Sequence, residues 1–527
     1  MELLIIAVLG LVAITAASLL GERIGVAAPL LLVVLGIGVS LLPFVPEVDI
    51  DPEWILAGVL PPLLYSASVS MPTMDFRREF GAIGGLSVLL VVISAVILGF
   101  FFSWIIPGLD IWWGIALGAI VSPTDAVATS IVRGLPVSKR VVSILEGEGL
   151  LNDATALVLL RTAIAGASAS VSLWGILGDF VFAVAVAAVI GFAVGKVNLR
   201  IRARVTDSTV NTVISFTVPF LASIPAEELG ASGLVAAVVA GLVTGHGAPR
   251  QLSPRHRLSD TQNWRSVELV LEGAVFLVMG LELASIVADV GDDHEGIGAA
   301  ALVAAGALIV TIVVRSAFVA PLIRWLGRKA ARGERLKPRL HDAAERLDGP
   351  DELRNFRGRR TPSEGQIERF RTRIRRGLAD IDYFLAAPLD WRDGTVVVWA
   401  GMRGAITLAA AQTLPEDTPS RSLLVFVAFL VAAGSLLIQG GTLKRVVGVV
   451  TPTTEGDAEE DRSDEEGIRS ILVDAASNET DRLTVISAQR TALLDARDDG
   501  LFSAESLQSA LDLLDAEQIG LELREGS

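Results

Sequence analysis

The chain has 527 residues, of which 52% are hydrophobic, and a mean hydropathy of +0.57, values that exclude an ordinary soluble protein. It contains no cysteine, so disulfides, thiolate chemistry and cysteine-based metal sites are excluded. The formal net charge is −15, but the segment from Thr451 onward carries 20 acidic and 6 basic residues. The acidity therefore belongs to the C-terminal tail, and the rest of the chain is nearly neutral.

Repeated apolar runs of about twenty residues predict an all-α polytopic membrane protein. We expect about 13 transmembrane helices, centred near residues 11, 35, 60, 92, 120, 152, 184, 216, 238, 277, 310, 403 and 433. The first run, Leu3 to Leu20, has no basic region before it and is closely followed by a second run. We interpret it as a retained span and not as a cleaved signal peptide.

The polar connections between the spans alternate between basic and acidic. The basic connections are expected in the cytoplasm, because positive residues are enriched on that side of a membrane. This places the N-terminus outside and the acidic tail inside the cell, and an odd number of spans fits that placement. The basic connections are Arg77-Arg78, Arg133 to Arg140, Arg200 to Arg204, Arg250 to Arg265, the stretch from Arg324, and Lys444-Arg445.

The hydropathy pattern divides the chain into four regions. Residues 1–326 form a transmembrane region with spans 1–11, and residues 390–447 form a second one with spans 12 and 13. Residues 327–389 between them are rich in arginine, and we interpret them as a partly helical cytoplasmic loop against anionic lipid headgroups. A folded regulatory domain is the alternative for this loop. Residues 448–527 form the acidic cytoplasmic tail.

The tail is expected to contain a small helical module. A disordered acidic link from Thr451 to Glu466 precedes two helical segments, Glu479 to Arg497 and Ala504 to Glu522. An apolar face predicted for this module consists of Leu501, Leu507, Leu511, Leu514, Ile519 and Leu521.

The sixth span carries two acids and an amide within six positions, Glu148 to Asp153. A carboxylate near the middle of a lipid-embedded helix costs at least ~2.5 kcal/mol, so such residues usually mark an ion or proton path. Glu148 and Asn152 are four residues apart and share a helix face. Asp153 follows four residues after Gly149, whose missing side chain leaves room for an ion or a water. The alternative is that these acids only form hydrogen bonds with neighbouring helices.

The fifth and twelfth spans are predicted to be interrupted helices. Ser122–Asp125 in the fifth span contains a proline, which removes a backbone donor, and Thr124 and Asp125 supply polar groups beside the break. Gly401–Gly404 in the twelfth span places Arg403 between two glycines. A simple helix kink is the alternative for each.

The positions of these breaks suggest two inverted repeats. Spans 1–6 and 8–13 can form two six-helix halves of opposite orientation, in which spans 5 and 12 correspond. Paired interrupted helices at corresponding positions indicate a transporter site at the middle of the membrane. Asp125 would balance the N-terminal helix ends there, and Arg403 the C-terminal ends.

Arg315 lies within the eleventh span and needs a partner, for which Glu148 is the candidate. Snorkelling of Arg315 to the cytoplasmic face is the alternative. Glu272 and Asp179 are interpreted as helix-packing or interface groups. The histidines are expected in loops and form no plausible metal cluster: His246, His256, His294 and His341.

These motifs together resemble the cation:proton antiporter family, which includes prokaryotic Na+/H+ antiporters and animal sodium/proton exchangers. The resemblance covers about residues 1–445 in family order. The matching stretches are Leu60–Leu64, Ser122–Val127, Glu148–Ala154, Phe276–Leu281 and Gly401–Ala405.

The resemblance implies a homodimer in which a dimerisation domain holds a mobile core domain. Asn152-Asp153 matches the Asn-Asp pair of the electroneutral branch, whereas electrogenic relatives carry two aspartates there. By this likeness Asp153 binds the cation or proton, with Thr124, Asp125 and Asn152 shaping the site. Glu148 and Arg315 match a family ion pair. At Gly149 some relatives have a serine that serves as a ligand.

We therefore expect a secondary antiporter that exchanges Na+ for H+, because one carboxylate can hold either ion but not both. Li+ or K+ in place of Na+ stays open. The rivals are a cation channel, which the single titratable site and inverted halves disfavour, and a sensor that signals through its tail. No enzymatic reaction, cofactor or nucleic acid is expected, and the tail's partner is left open.

Overall fold

The computed structural model of the chain describes residues 2–42, 51–168, 173–292, 296–348, 364–450, 456–477 and 481–525. All regular secondary structure in these ranges is helical, which confirms the predicted all-α class. The chain folds into two compact units. Unit 1 comprises Met1–Thr73, Glu79–Val319 and Thr395–Pro452. Unit 2 comprises Met74–Arg78, Ala320–Gly394 and Thr453–Ser527.

The helices follow one another along the chain with short connections. In order they are α1 (Glu2–Ile24), α2 (Ala28–Ser40), α3 (Leu60–Ser70), α4 (Thr73–Gly84), α5 (Val91–Ile105), α6 (Ile111–Val121), α7 (Val127–Arg133), α8 (Lys139–Ser168), α9 (Leu173–Arg202), α10 (Ser208–Glu228), α11 (Gly233–Gln251), α12 (Pro254–Leu281), α13 (Leu283–Asp292), α14 (Ile297–Asp348), α15 (Glu364–Ala386), α16 (Trp391–Trp399), α17 (Ala405–Gln412), α18 (Arg421–Ser435), α19 (Gly441–Val450), α20 (Gly456–Ala476), α21 (Arg482–Asp499) and α22 (Ala504–Glu525). Wider π-helical turns precede α3, α5 and α19, at Trp54–Val59, Gly85–Leu90 and Leu436–Gly440.

In the described ranges, eight helical stretches are long and apolar enough to cross a membrane. The predicted count of about 13 spans is therefore not confirmed. The other predicted spans fall on α2, α3, α6 with α7, α11, and α16 with α17, most of which are short or interrupted. The inverted relation of the two halves stays a prediction. The qualifying stretches are Leu4–Ile24, Thr73–Ile105, Lys139–Ala167, Gly178–Arg202, Ser208–Glu228, Pro254–Val290, Ile297–Asp342 and Arg421–Val450.

Local sequence sets where several helices of unit 1 begin. Asp110, Asp207, Ser232 and Ser253 precede α6, α10, α11 and α12, and each side chain accepts a backbone N–H from the first turn. Such caps satisfy donors that a helix leaves unpaired at its N-terminus.

Helix α8, which carries Glu148 to Asp153, lies inside unit 1. It packs against α3, α5, α6, α7 and α11. Its carboxylates are thereby held among protein neighbours, as acids within a membrane segment require.

Helices α2 and α12 approach each other closely where two glycines meet. A Cβ added to Gly36 would lie 2.5 Å from the carbonyl oxygen of Leu277 and 2.9 Å from the Cα of Gly280. Both neighbours are backbone atoms, which cannot rotate away. Only a residue without a side chain allows this contact, the packing mode typical of membrane helices.

Unit 2 contains a helical module formed by α20, α21 and α22. Its core consists of Ile468, Ile486, Leu493, Leu494, Ala496, Leu507, Ala510, Leu511 and Leu514. The two predicted tail helices are found within a few residues of α21 and α22. Leu507, Leu511 and Leu514 lie in the core as expected, but Leu501 is 50% exposed.

The predicted disordered link was wrong from Gly456 onward, because α20 spans Gly456–Ala476. Residues 451–455 of that link lie outside the described residues. The acidic composition of the link indicated disorder, yet Ile468, Ile471 and Leu472 further along pack onto the core of the module. Tertiary packing of this apolar face stabilises the helix despite its acidic start.

We predict that Gly36→Ala lowers the stability of unit 1, whereas Gly38→Ala does not. The added methyl at Gly36 forces two backbones apart, at a cost of about 1–3 kcal/mol. Gly38 lies on the same helix, and a Cβ there meets nothing within 4 Å. Thermal denaturation in detergent measures both variants. Equal melting temperatures for the two would contradict the close approach of α2 and α12.

Candidate functional site

Two interrupted helices lie against each other in unit 1. One break separates α6 from α7 and contains Ser122–Ala126, and the other separates α16 from α17 and contains Ala400–Gly404. The backbone N–H of Asp125 donates to the carbonyl of Met402 over 2.8 Å. The two breaks are therefore joined directly, and four helix ends come together around them.

The carboxylate of Asp125 lies at the N-terminal ends of two of these half-helices. Its Oδ1 accepts the N–H of Val127, the first residue of α7, over 2.8 Å. Gly404 is the N-cap of α17, and a Cβ added there would overlap the Asp125 carboxylate. The negative charge thus faces the partial positive charge of both N-termini.

Two arginines donate hydrogen bonds to the carbonyls at the C-terminal ends of the other two half-helices, α6 and α16. The Nε of Arg403 donates to the carbonyl of Val121, the last residue of α6, over 2.9 Å, and its Nη2 donates to Ser122 over 3.3 Å. The Nε of Arg315 donates to the carbonyl of Val397, in the last turn of α16, over 2.9 Å. Each C-terminal end therefore has a buried cation against its unpaired carbonyls.

Arg315 also forms a two-pronged ion pair with Glu148. Nη1 and Nη2 lie 2.5 and 2.8 Å from the two carboxylate oxygens, and both side chains are 2% exposed. Thr124 donates its hydroxyl to Glu148 over 3.1 Å. The three donors leave Glu148 fully engaged, so it anchors α8 to α14 and to the first break.

Asn152 continues this chain of hydrogen bonds toward Asp153. Its side-chain nitrogen donates to the carbonyl of Thr124 over 2.9 Å and to the Thr124 hydroxyl over 2.8 Å. Both acceptors belong to the break between α6 and α7. Asn152 thereby fixes the α8 backbone, and the adjacent Asp153, beside the crossing point.

Asp153 differs from the other charged side chains at this site. It is 4% exposed, and within the described part of the chain it has neither a hydrogen-bond donor nor an ion-pair partner. Gly149 lies one turn earlier on α8, and a Cβ there would meet nothing within 4 Å. A buried, unengaged carboxylate next to open space can accept a proton or a small cation.

Sequence reasoning missed two residues of the site, both on span 13. Ser435 accepts the backbone N–H of Arg403 over 2.8 Å, and Gln439 donates to the carbonyl of Trp399 over 3.3 Å. Each contacts the second break. Their spacing of four within an apolar span was the available signal, because it places two polar side chains on one helix face.

Of the secondary candidates, Glu272 lies on α12, is partly buried and is close enough to Asp125 for their charges to interact. Asp179 lies on α9 and is exposed. The prediction that the histidines fall in loops was wrong, because His246, His256 and His341 lie within α11, α12 and α14. His294 lies outside the described residues.

Crossed helix breaks with balanced ends and a free carboxylate define a polytopic membrane transporter. A family model described as "Sodium/hydrogen exchanger, transmembrane" matches residues 9–448. The chain belongs to this family, whose members are cation/proton transporters and not enzymes.

Individual relatives extend the comparison. An uncharacterized Na+/H+ exchanger of Mycobacterium tuberculosis is 29% identical over 455 residues, 84% of this chain and 74% of that protein. The uncharacterized Na+/H+ exchanger YjcE of Escherichia coli is 35% identical over 276 residues, 49% of each chain. The sodium proton antiporter MjNhaP1 of Methanocaldococcus jannaschii has the same fold, with a TM-score of 0.59 at 16% identity, over 85% of this chain and 99% of that one.

We predict that Glu148→Gln destabilises the protein by about 3–5 kcal/mol, because it leaves Arg315 as a buried charge without its counter-ion. The double variant with Arg315→Gln should recover much of this loss. Thermal denaturation of the single and double variants in detergent gives the coupling between the two sites.

Glu146→Gln is the matched control on the same helix. Glu146 pairs with Arg133 over 2.7 Å, but the Arg133 side chain is 62% exposed. Loss of an exposed pair costs at most about 1 kcal/mol. Additive losses in the double variant Glu148→Gln/Arg315→Gln would show that the buried pair is not coupled.

Proposed function

We propose that the protein exchanges Na+ for H+ by alternating access, with both ions competing for Asp153. The observation that carries this proposal is the unengaged Asp153 carboxylate, buried beside open space at the crossing of two helix breaks. A carboxylate that holds one ion at a time couples the two fluxes, because release of a proton is required for cation binding and the reverse.

The other site residues are proposed to build the cavity around Asp153. Thr124 and Asn152 lie within hydrogen-bonding distance of each other and present oxygen atoms, the ligands that hard monovalent cations accept. The side-chain oxygen of Asn152 is buried and has no hydrogen-bond partner in the described residues. In this proposal Thr124 and Asp153 are cation ligands, Asp125 and Arg403 balance the helix ends, and Glu148 with Arg315 fixes the geometry.

Exchange of K+ by the same mechanism is the second candidate. Its support is that relatives from Bacillus pumilus and Bacillus subtilis, 29% and 30% identical over about half of this chain, are named sodium, potassium, lithium and rubidium/H+ antiporters. The space at Gly149 is compatible with a larger cation. Proteoliposomes given Na+, Li+ or K+ gradients, with internal pH followed by a dye, rank the three ions.

We further propose that the protein works as a homodimer in the cell membrane, with its N-terminus outside and its acidic tail in the cytoplasm. The alternation of basic and acidic connections supports this orientation.

Asp153→Asn is expected to abolish exchange in proteoliposomes while the protein stays folded. The substitution keeps the shape of the side chain but removes the charge that both ions need. Asp179→Asn, which neutralises an exposed acid of unit 1, is expected to retain wild-type exchange. Exchange near the wild-type rate in Asp153→Asn would refute the shared-carboxylate mechanism.

Exchange is expected to be electroneutral, one cation for one proton, because Asn152 leaves Asp153 as the one titrating partner in the Asn-Asp pair. Liposomes clamped at different membrane potentials with K+ and valinomycin test this, with Na+ as the transported ion. The Na+ and H+ gradients at equilibrium should not depend on the potential. A shift with potential would mean that a second proton moves in each cycle.

A further inference from the structure

Helix α14 leaves the transmembrane part of the chain without a break and continues to Asp348. Between Ile297 and Ile323 its charged residue is Arg315, which is paired with Glu148. A helix of about 20 residues crosses the hydrocarbon core, and about 27 to 30 residues reach across both headgroup layers. Arg324 therefore lies at the level of the headgroups, and the residues after it extend into the water.

Five arginines follow one face of this extension, at spacings of four, four, three and four: Arg324, Arg328, Arg332, Arg335 and Arg339. Residues at these spacings lie one above another on a helix. All five are exposed, and in the described structure none has an ion-pair or hydrogen-bond partner. We call this face the arginine stripe.

The opposite face of the extension is occupied by α15. Lys337 lies 2.5 Å from Asp382, the ammonium of Lys329 lies 4.7 Å from the ring centre of Phe384, and a Cβ on Gly333 would contact Ile381. These residues recur every four positions, about 135° around the helix from the arginine stripe. Since α15 packs against the opposite face, it does not cover the arginine stripe, whose side chains remain exposed and able to bind a partner.

The surroundings of the stripe favour a lipid surface as its partner. Trp325 is 45% exposed beside Arg324 and Arg328, and tryptophan is enriched at the membrane–water interface. Side chains on a helix slope toward its N-terminus, which for α14 is the membrane side. The arginines nearest the membrane thus point back toward the headgroups, where a cluster of basic residues is attracted by anionic lipid.

We propose that Arg324, Arg328 and Arg332 bind the phosphate groups of anionic lipids in the leaflet where α14 leaves the membrane. Along the helix Arg332 lies about 12 Å beyond Arg324, and its long side chain slopes back toward the membrane, whereas Arg335 and Arg339 lie about 17 and 23 Å beyond Arg324. Charges more than about 8–10 Å from a surface are screened at physiological salt. The contribution to lipid binding should therefore fall off from the third arginine to the fifth.

The test uses the full-length protein in detergent, titrated with phosphatidylglycerol or phosphatidylcholine, with bound lipid counted by native mass spectrometry. Wild type should prefer phosphatidylglycerol. The triple variant Arg324→Gln/Arg328→Gln/Arg332→Gln should lose this preference by about fivefold for each arginine, or on the order of 100-fold in total. Replacement of the same three by lysine should keep most of the preference, since the charge is retained.

The pair Arg335→Gln/Arg339→Gln is the matched control, from the same face of the same helix. It should change the preference less than twofold. Unchanged lipid preference in the triple variant would overturn the proposal. An equal loss in the control pair would also overturn it and favour a soluble acidic protein as the partner. Displacement of the lipid by 10 mM inorganic phosphate would show a small-anion site instead.

If the triple variant does not fold, the single variants Arg324→Gln and Arg328→Gln are titrated in the same way. Each should lower the preference for phosphatidylglycerol about fivefold. The readout is binding and not exchange, so this result is independent of which cation the protein carries.

Discussion

The hydrogen bond between the Asp125 N–H and the Met402 carbonyl joins the two helix breaks, and the arrangement of the site in unit 1 depends on this contact. Breaking two helices inside a membrane leaves backbone groups unpaired in a medium without water, where each costs several kcal/mol. Asp125, Arg403 and Arg315 compensate this cost at the helix ends. These charges are occupied by the helix ends, so the proposed mechanism assigns ion binding to Asp153, a buried carboxylate without a hydrogen-bond or ion-pair partner among the described residues.

The ion pair between Glu148 and Arg315 has two effects: it holds the helices together, and it leaves Glu148 unsuited to bind a transported ion. It holds α8 against α14, and through Thr124 it reaches the first break. A carboxylate with three donors is a poor ligand for a passing ion, because binding would have to displace bonds already made. Glu148 and Asp153 lie five residues apart on one helix, but their neighbours differ. Glu148 is held by three hydrogen-bond donors, whereas Asp153 has no donor among the described residues, a difference that the residue type alone does not predict.

Much of the fold and of the site was predictable because membrane segments obey strong constraints. Acids, an arginine and a proline within apolar runs pointed to Asp153, Arg403 and the first break. Such residues cost free energy inside a membrane segment, so they usually occur there only where function requires them. The number of spans was less predictable, because half-helices and short helices such as α2 do not carry a full-length hydropathy signal. The helical start of α20 was also missed, since its order comes from packing onto α21 and α22 and not from its own acidic sequence.

The free Asp153 carboxylate has a thermodynamic consequence for the protein as a whole. A buried charge without a counter-charge is a source of instability, and any ion that neutralises it in the folded state stabilises that state by RT ln(1 + [L]/Kd). In the proposed mechanism, sodium ions and protons would therefore stabilise the folded protein as well as being transported by it. The melting temperature of the purified protein, measured at increasing concentrations of each ion, would therefore report how tightly that ion binds. This measurement needs no ion gradient, no vesicle and no transport.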